Sequence, residues 1–477
     1  MNVKFVSAKS CALVVAAGLL LGLMGCGSTG VATGATPLAA NSAPAILTVT
    51  DAPLANILSA QVTISSVALT PSGGAAPVTI LNTPVTVELS GLNGIQEPLD
   101  IGSLPLGTFS SIAATVSSVS VTYVNGAGQT VTASAAIASP TVTIALNPAL
   151  TINSMAGVDL HLAYNLASAF SINGSTVTFT PAVTAASASI DAENAGQRQV
   201  EVTGPVVSTS NATLVVASAD SGRQFTFTIN SATQFPAGMN PASILPGMIV
   251  HVQAQTQSDG SLLATLVSTE SSQAGSGGSE DQVDGGKGII TAISASGGVL
   301  SGFSFVPRES FGGLQVNSTV NAVVSSATTF AVPMDALTAG VPANSLTAAS
   351  LFAGQSVSVT GSVASPGSLN ATQVTLAGQG TMGVLTAMPQ GSAPNLKFSV
   401  TLPATSFLTT YAGITTLDVV TNQATDYGDI LTAATFSADP AGTNLEVHGY
   451  LVMTAPGSYV LYADEVNTAP TSSSTNP

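Results

Sequence analysis

The sequence predicts an all-β protein, with an N-terminal antiparallel β-sandwich followed by three small repeated β-barrel-like domains. Three observations carry that reading. Apolar residues alternate with small polar ones over residues 45–190, the period of half-buried strands. Turn-forming pairs cut this region into short pieces. From residue 199 onward, one pattern of glycines, strands and a threonine-centred element occurs three times, the mark of an internal repeat.

Residues 1–25 read as a signal peptide, with Lys4 and Lys9 ahead of an apolar run from Ala12 to Met24. The run is shorter than the roughly 20 residues that span a bilayer, and its positive flank is N-terminal only. Its end, Leu23-Met24-Gly25-Cys26, resembles the lipobox of bacterial lipoproteins. The resemblance implies cleavage before Cys26, which becomes the lipid attachment site and the membrane anchor. Gly27, rather than Asp, follows the cysteine, and the sorting rule of that family then implies the outer membrane. Residues 26–44 carry no charge and make a flexible tether of small residues.

The sandwich is expected over 45–190. In Phe109–Tyr123, Ile112, Ala114 and Val116 alternate with polar residues, and Val119, Val121 and Tyr123 resume after a phase shift at Ser117-Ser118. Such a shift predicts a bulge. Further strands are expected at Ala45–Thr50, Gln61–Thr70, Val85–Leu89, Thr130–Ile137, Thr141–Leu146, Val158–Leu166 and Ser175–Val183. Ser72-Gly73-Gly74, Asn125-Gly126 and Asn173-Gly174 mark turns between them. The opening Leu47-Thr48-Val49-Thr50-Asp51-Ala52-Pro53, the run Leu104-Pro105-Leu106-Gly107-Thr108-Phe109 and the segment Val158–Pro181 resemble elements of a bacterial lipoprotein family. That family is domain of unknown function 4382. The resemblance implies a surface or periplasmic lipoprotein with a sandwich domain, and no chemistry.

After a polar hinge at 191–198, the repeats fall at 199–270, 287–378 and 379–467, with a solvated linker at 271–286 and a polar tail at 468–477. Each opens on a glycine and a strand, at Gly204, Gly288 and Gly383. Each then carries a shared element: Ser231-Ala232-Thr233-Gln234-Phe235, Ser326-Ala327-Thr328-Thr329-Phe330 and Gln423-Ala424-Thr425-Asp426-Tyr427. A glycine and a closing hairpin follow. The spacing from opening glycine to shared threonine is 29, 40 and 42 residues, so the second and third copies carry insertions. The Gly–strand opening, the S-x-T-x-F element and the final G-x-x-V-x-V…A-x-x-V hairpin resemble domain of unknown function 5666. Each copy is long enough for a closed or half-open barrel of five or six strands, which hides strand edges.

Composition limits the partners. Of 477 residues 45% are hydrophobic but only 6% charged, against about 25% in an average soluble domain. Removing residues 1–25 takes away Lys4 and Lys9, leaving five basic residues against 23 acids and a formal charge of −18. Arg198, Arg223, Lys287, Arg308 and Lys397 are scattered singly, so no basic patch for nucleic acid or anionic lipid headgroups is expected. Cys11 lies in the signal and Cys26 at its end, which leaves neither a disulfide nor a cysteine metal site. No apolar run of spanning length follows Cys26, and the body is expected outside the cytoplasm. The partners expected are the membrane, through the lipid, and an envelope protein or polysaccharide.

Candidate chemistry is sparse. His161, His251 and His448 alternate with apolar neighbours on their strands and are expected to face solvent rather than ligands. Asp191 with Glu193, the Glu280-Asp281-Asp284 cluster, and Asp426 with Asp429 are oxygen donors for calcium in principle, but none has the spacing of a dedicated loop, and solvated turns are the expectation. Asp51 before Ala52-Pro53 reads as a turn residue. No nucleophile elbow, P-loop, dinucleotide fingerprint or zinc-protease motif occurs. Carbohydrate binding by stacked rings is disfavoured in a chain without Trp. A transmembrane β-barrel is disfavoured without aromatic girdles.

The expectation is therefore a lipid-anchored, extracytoplasmic binding or structural protein with no catalytic residues, cofactor or metal. The alternative is an envelope-polymer hydrolase whose site gathers distant residues. Cys26→Ser is predicted to release the protein from the membrane, or to block its processing, while the β-domains stay folded. Radioactive fatty-acid labelling checks this, because a serine variant that keeps both label and membrane attachment refutes the anchor.

Overall fold

The structure, a computed structural model, describes residues 41–468 except 53–54, 93–94, 191–198, 237, 270–283, 312, 366 and 428–431, together with the backbone of a two-residue strand, β1 (Ala32–Thr33). Cys26, the signal, most of the tether, Asp191, Glu193, Glu280, Asp281 and Asp429 lie outside the described residues. Strand makes up 61% of the structure and helix 6%, so the class is all-β. Among the described residues no helix is long and apolar enough to cross a membrane.

The first fold unit comprises β2 (Ser42–Ala52), β3 (Ile57–Pro71), β4 (Val78–Leu81), β5 (Val85–Glu88), β6 (Glu97–Pro105), β7 (Gly107–Val124), β8 (Thr130–Ser134), β9 (Ala136–Ile137), β10 (Thr141–Ile152), β11 (Gly157–Asn165), helix α1 (Leu166–Ala169), β12 (Phe170–Asn173), β13 (Thr176–Phe179) and β14 (Val183–Ile190). One sheet has the order β10-β7-β3-β4, with β5 also on β3 and β8 on β7. The facing sheet has the order β14-β11-β2-β6, and β12, β13 and β9 form a small third sheet. Val62 and Ile64 of β3 and Ala114 and Val116 of β7 meet Leu47 and Val49 of β2 and Leu160 and Leu162 of β11 in one apolar core. The bulge lies where the phase shift placed it. Thr63 pairs with Ser118 and Ile64 with Val116, leaving Ser117 as the extra residue.

The sandwich is not wholly antiparallel, because β2 and β11 run parallel from Ala45/Val158 to Ala52/Asn165. The chain passes through the opposite sheet between them, so no hairpin dictates their direction. Strand β2 is also buried on both faces. Leu47 and Val49 enter the sandwich core while Ile46 enters the core of the next domain, which accounts for the continuous Ala45-Ile46-Leu47 run. Strands β4, β6 and β12 have no counterpart among the sequence expectations, and β14 shares only Val183 with one. β6 carries Glu97, Pro98, Asp100 and Pro105 and shows no alternation; its prolines are tolerated because it is an edge strand.

Three closed barrels follow. The first contains β15 (Gln199–Thr209), β16 (Thr213–Ala217), β17 (Gln224–Thr228), β18 (Ile249–Thr256) and β19 (Leu262–Thr269), with β1 added parallel to β17. The second contains β20 (Asp284–Ser296), β21 (Val299–Ser310), β22 (Val320–Val323), β23 (Thr329–Ala331), α2 (Met334–Thr338), β24 (Ser356–Ser365) and β25 (Ser368–Leu376). The third contains β26 (Gln379–Leu385), β27 (Gln390–Ser392), β28 (Asn395–Thr401), α3 (Phe407–Ala412), β29 (Thr416–Val420), α4 (Ala433–Phe436), β30 (Asn444–Ala455) and β31 (Ser458–Thr468). In each, the five barrel strands are ordered one-two-three-five-four and close on themselves, with the third and fifth parallel. This is a five-stranded Greek-key barrel of the OB type. The extra spacing in the second copy is the long β20–β21 hairpin, and in the third it is β27 and α3.

The repeated residues have matching jobs. At Gly204 and Gly288 the first strand passes so close to the second that a Cβ would lie 1.8 Å from the Ala217 oxygen or 2.1 Å from the Val306 oxygen. The closing glycines Gly247, Gly354 and Gly442 have φ of +86°, +99° and +96°, where a side chain is strained. The shared threonines Thr233, Thr328 and Thr425 each donate their hydroxyl to a fifth-strand carbonyl, of Ala264, Ala371 and Ala463, at 2.7 Å in all three. Each hydroxyl also accepts the N–H of the residue three before it, Asn230, Ser325 or Asn422. The residue after each alanine, Thr265, Thr372 or Asp464, is the extra one in a bulge against the fourth strand.

Asp284 belongs to the second barrel rather than to a solvated linker. It starts β20, and its carboxylate accepts the N–H groups of Gly313 (3.0 Å) and Val363 (3.3 Å). Thr328→Val keeps the shape of the clamp but removes its hydroxyl. It is expected to lower stability by about 1–3 kcal/mol, because buried backbone groups lose their partner. Denaturant unfolding of the full chain checks this, and an unchanged midpoint refutes the role.

Candidate functional site

Near its end, the sheet carrying β14, β11 and β2 presents a row of register partners, Thr184, Ala163 and Thr50, and the barrels pack around that end. Between them lies a cavity of about 980 Å³. The sandwich lines it with the row itself, Asp51 and Tyr164. The first barrel adds Glu201, Gln234, Gln253, Gln255 and Thr265, the second Asp335 and Thr338 of α2, and the third Asp426, Glu446, His448, Asp464 and Glu465. The repeat geometry aims several of these. Thr265 and Asp464 are the bulged residues of their barrels, and Gln234 and Asp426 directly follow the clamp threonines, bridging to Leu266 and Glu465. Bulges re-aim side chains, and here two of them point chemistry at one space.

The cavity is acidic. Seven carboxylates line it, with one histidine and no lysine or arginine. His448 Nδ1 and Asp464 Oδ1 are paired at 2.7 Å. Burial opposes protonation of His448, but the combined pull of Asp464, Glu465 and Glu201 outweighs it and raises its pKa. Burial, reinforced by the charges of Asp51 and Glu465, holds Glu446 well above the usual carboxylate range. Burial also pushes Glu465 up to about 7, against the hydrogen bond from Asn467. The Tyr450 hydroxyl donates to Asp335, joining third barrel to second. Among the buried polar atoms of the lining without a hydrogen-bond partner are Oε1 of Glu446 and the hydroxyl of Tyr164. These residues are only 6% and 1% exposed.

Residues 43–183 match the family model "Domain of unknown function (DUF4382)" and residues 203–268 match "Domain of unknown function (DUF5666)". The two matches follow one another along the chain in that order. No curated protein matches it. Among solved structures, "drosophila Unr CSD456" is similar at 9% identity and a TM-score of 0.14, over 57% of this chain and 98% of that one, a likeness too slight to bear on fold or function.

A second acidic cluster lies where the sandwich meets the first and second barrels. Glu88 Oε1 accepts the Ala60 N–H at 2.6 Å and the Ser90 hydroxyl at 2.7 Å, and the Glu88 N–H donates to Asp220 at 3.2 Å. Glu97 accepts the Ser218 hydroxyl at 2.8 Å and is hydrogen-bonded to the carboxyl of Asp220. Two carboxyls bonded to each other need a proton between them. Burial pushes Glu97 up to about 7. Burial and the charge of Glu97 hold Asp220 well above its ordinary range. Lys287 Nζ lies 3.6 Å from Glu309.

The expected solvent-facing histidines are corrected. His251 is buried, with Nδ1 3.0 Å from the Thr203 hydroxyl and Nε2 3.4 Å from Glu201. His448 is buried in its pair with Asp464. His161 is half-buried, 3.1 Å from the Thr48 hydroxyl. Each does leave the core of its own domain, but a neighbouring element covers it. Asp51 is no turn residue: it lies in β2, 3% exposed. The acids Glu201, Asp335, Glu446, Asp464 and Glu465 were not foreseen. The signal available was the third A-x-x-V, where Asp464-Glu465 replaces Thr265-Leu266 and Thr372-Gln373. Among the described residues, no three of His, Cys, Asp or Glu are grouped to hold a metal ion.

Groups with raised folded pKa values stabilise the protein fully below their unfolded values and lose that contribution as pH rises through the folded ones. For Glu97 the window runs from about 4.5 to about 7, and Glu446, Glu465 and Asp220 act in the same direction. The protein is therefore expected to melt at a higher temperature at pH 5 than at pH 8. Glu97→Gln, which keeps both an acceptor and a donor, is expected to narrow that gap. Melting curves at both pH values check it, and an equal gap in the variant refutes the shared proton.

Proposed function

We propose that the chain is a lipid-anchored binding protein of the bacterial cell envelope that holds a hydrophilic small molecule in the cavity between its four domains. The observation that carries the binding reading is the pair of buried, unpartnered polar atoms on Glu446 and Tyr164. Such a group left without a partner costs roughly 1–3 kcal/mol, and a ligand group placed against it removes that penalty. The remaining lining also suits a polar guest, with an amide or a hydroxyl on every wall. The envelope location rests on the lipobox-like Leu23–Cys26 and the charge-free tether.

One observation supports a second reading, hydrolysis of an envelope polysaccharide. Glu446 has a raised pKa within electrostatic reach of Asp51, and a protonated carboxyl with a carboxylate nearby is the pairing glycoside hydrolysis uses. Release of reducing ends by wild type but not by Glu446→Gln would favour it.

Ala163 sits mid-row between Thr50 and Thr184, so Ala163→Trp fills the cavity from a half-buried position. A thermal-shift panel of neutral oligosaccharides, amino-sugar oligomers and linear polyamines is expected to contain a member that stabilises wild type and not Ala163→Trp. If no member separates the two proteins, the binding reading fails.

A further inference from the structure

We propose that the ligand is a short amino-sugar oligomer, a hydroxyl-rich chain carrying ammonium groups; this rests on the cavity reading above. Charge is the first argument. Seven carboxylates face the cavity and its single basic side chain, His448, is already paired with Asp464. An anionic guest would be repelled, and a neutral one would leave the ionised carboxyls among them uncompensated. A cationic guest supplies what the walls lack, as charge-assisted hydrogen bonds.

The rest of the lining separates kinds of cation. Five glutamines (Gln96, Gln199, Gln234, Gln253 and Gln255) and two asparagines, Asn165 and Asn467, present planar amides that donate and accept. Those groups match neighbouring hydroxyls. A linear polyamine would instead bring methylene groups that cannot pair with those amides. A bare metal ion would need three grouped ligands, which are absent among the described residues. A volume of about 980 Å³ is at the upper end of sites for single small molecules, roughly 300–1,000 Å³, room for several sugar units. Within it, Oε1 of Glu446 is placed to receive an ammonium and the Tyr164 hydroxyl to meet a sugar hydroxyl.

The test is isothermal titration of the full chain at pH 6 with glucosamine trimer and with its fully N-acetylated counterpart, which has a similar chain but no charge. The amine trimer is expected to bind wild type at least about tenfold more tightly than the acetylated one, the 1.4 kcal/mol equivalent of one charge-assisted bond. Its binding should weaken with added salt. Glu446→Gln, which keeps the shape and neutrality of the protonated acid but cannot ionise against a bound ammonium, should lose most of that preference while keeping the wild-type melting temperature. Equal binding of both trimers, abolished by Ala163→Trp, overturns the amine assignment and leaves the cavity reading standing. Binding of neither trimer while another panel member binds does the same. If nothing in the panel binds, both readings fall together.

Discussion

Everything distinctive in the barrels depends on one hydrogen bond made three times, from a buried threonine hydroxyl to a fifth-strand alanine carbonyl at 2.7 Å. The bond ties the segment after the third strand to the point where the fifth strand bulges. A bulge disrupts its ladder locally, and the threonine supplies a fixed partner there. The bulged side chain turns to the fourth strand in each copy: Thr265 and Thr372 donate to the carbonyls of Gln253 and Thr360 at 3.1 Å, and Asp464 pairs with His448. It is threonine in two copies and aspartate in the third, and the fold is the same.

The sequence showed this scaffold more clearly than its chemistry. The opening glycines, the threonine element and the A-x-x-V hairpin are legible because each answers a backbone need that recurs with the fold. Alternation also assigned His251 and His448 correctly to the outside of their own barrels. It could not show that this outside is the inside of the molecule. Periodicity describes one sheet against its own core; what covers the other face depends on how domains meet. Strand β6 was illegible for a related reason. Glu97 and Asp100 look like surface acids, yet they are buried against the first barrel, where Ser218 and Arg223 receive them.

Two of the few cations, Arg223 and Arg308, sit at the junctions. Arg223 of the first barrel reaches Asp100 of the sandwich at 2.7 Å. Arg308 of the second, fully buried, donates its Nε–H to the Leu58 carbonyl at 2.5 Å, and its own carbonyl accepts from Gln61 at 2.8 Å. Scattered singly in sequence, these residues each join two domains. Apolar packing follows the same seams. Leu58 and Val124 of the sandwich share a cluster with the third barrel, and Tyr450 and Val452 of the third barrel share one with the second.

The cavity belongs to no single domain, since every wall comes from a different fold unit. Occupancy and domain packing are therefore thermodynamically linked: whatever fills the space adds its binding free energy to the association of the parts that surround it. A guest would act as a removable cross-link, tightening seams that pH and buried carboxyls otherwise loosen. A barrel cut free of its neighbours would keep its strands, its glycines and its clamp, and would have nothing left to grip.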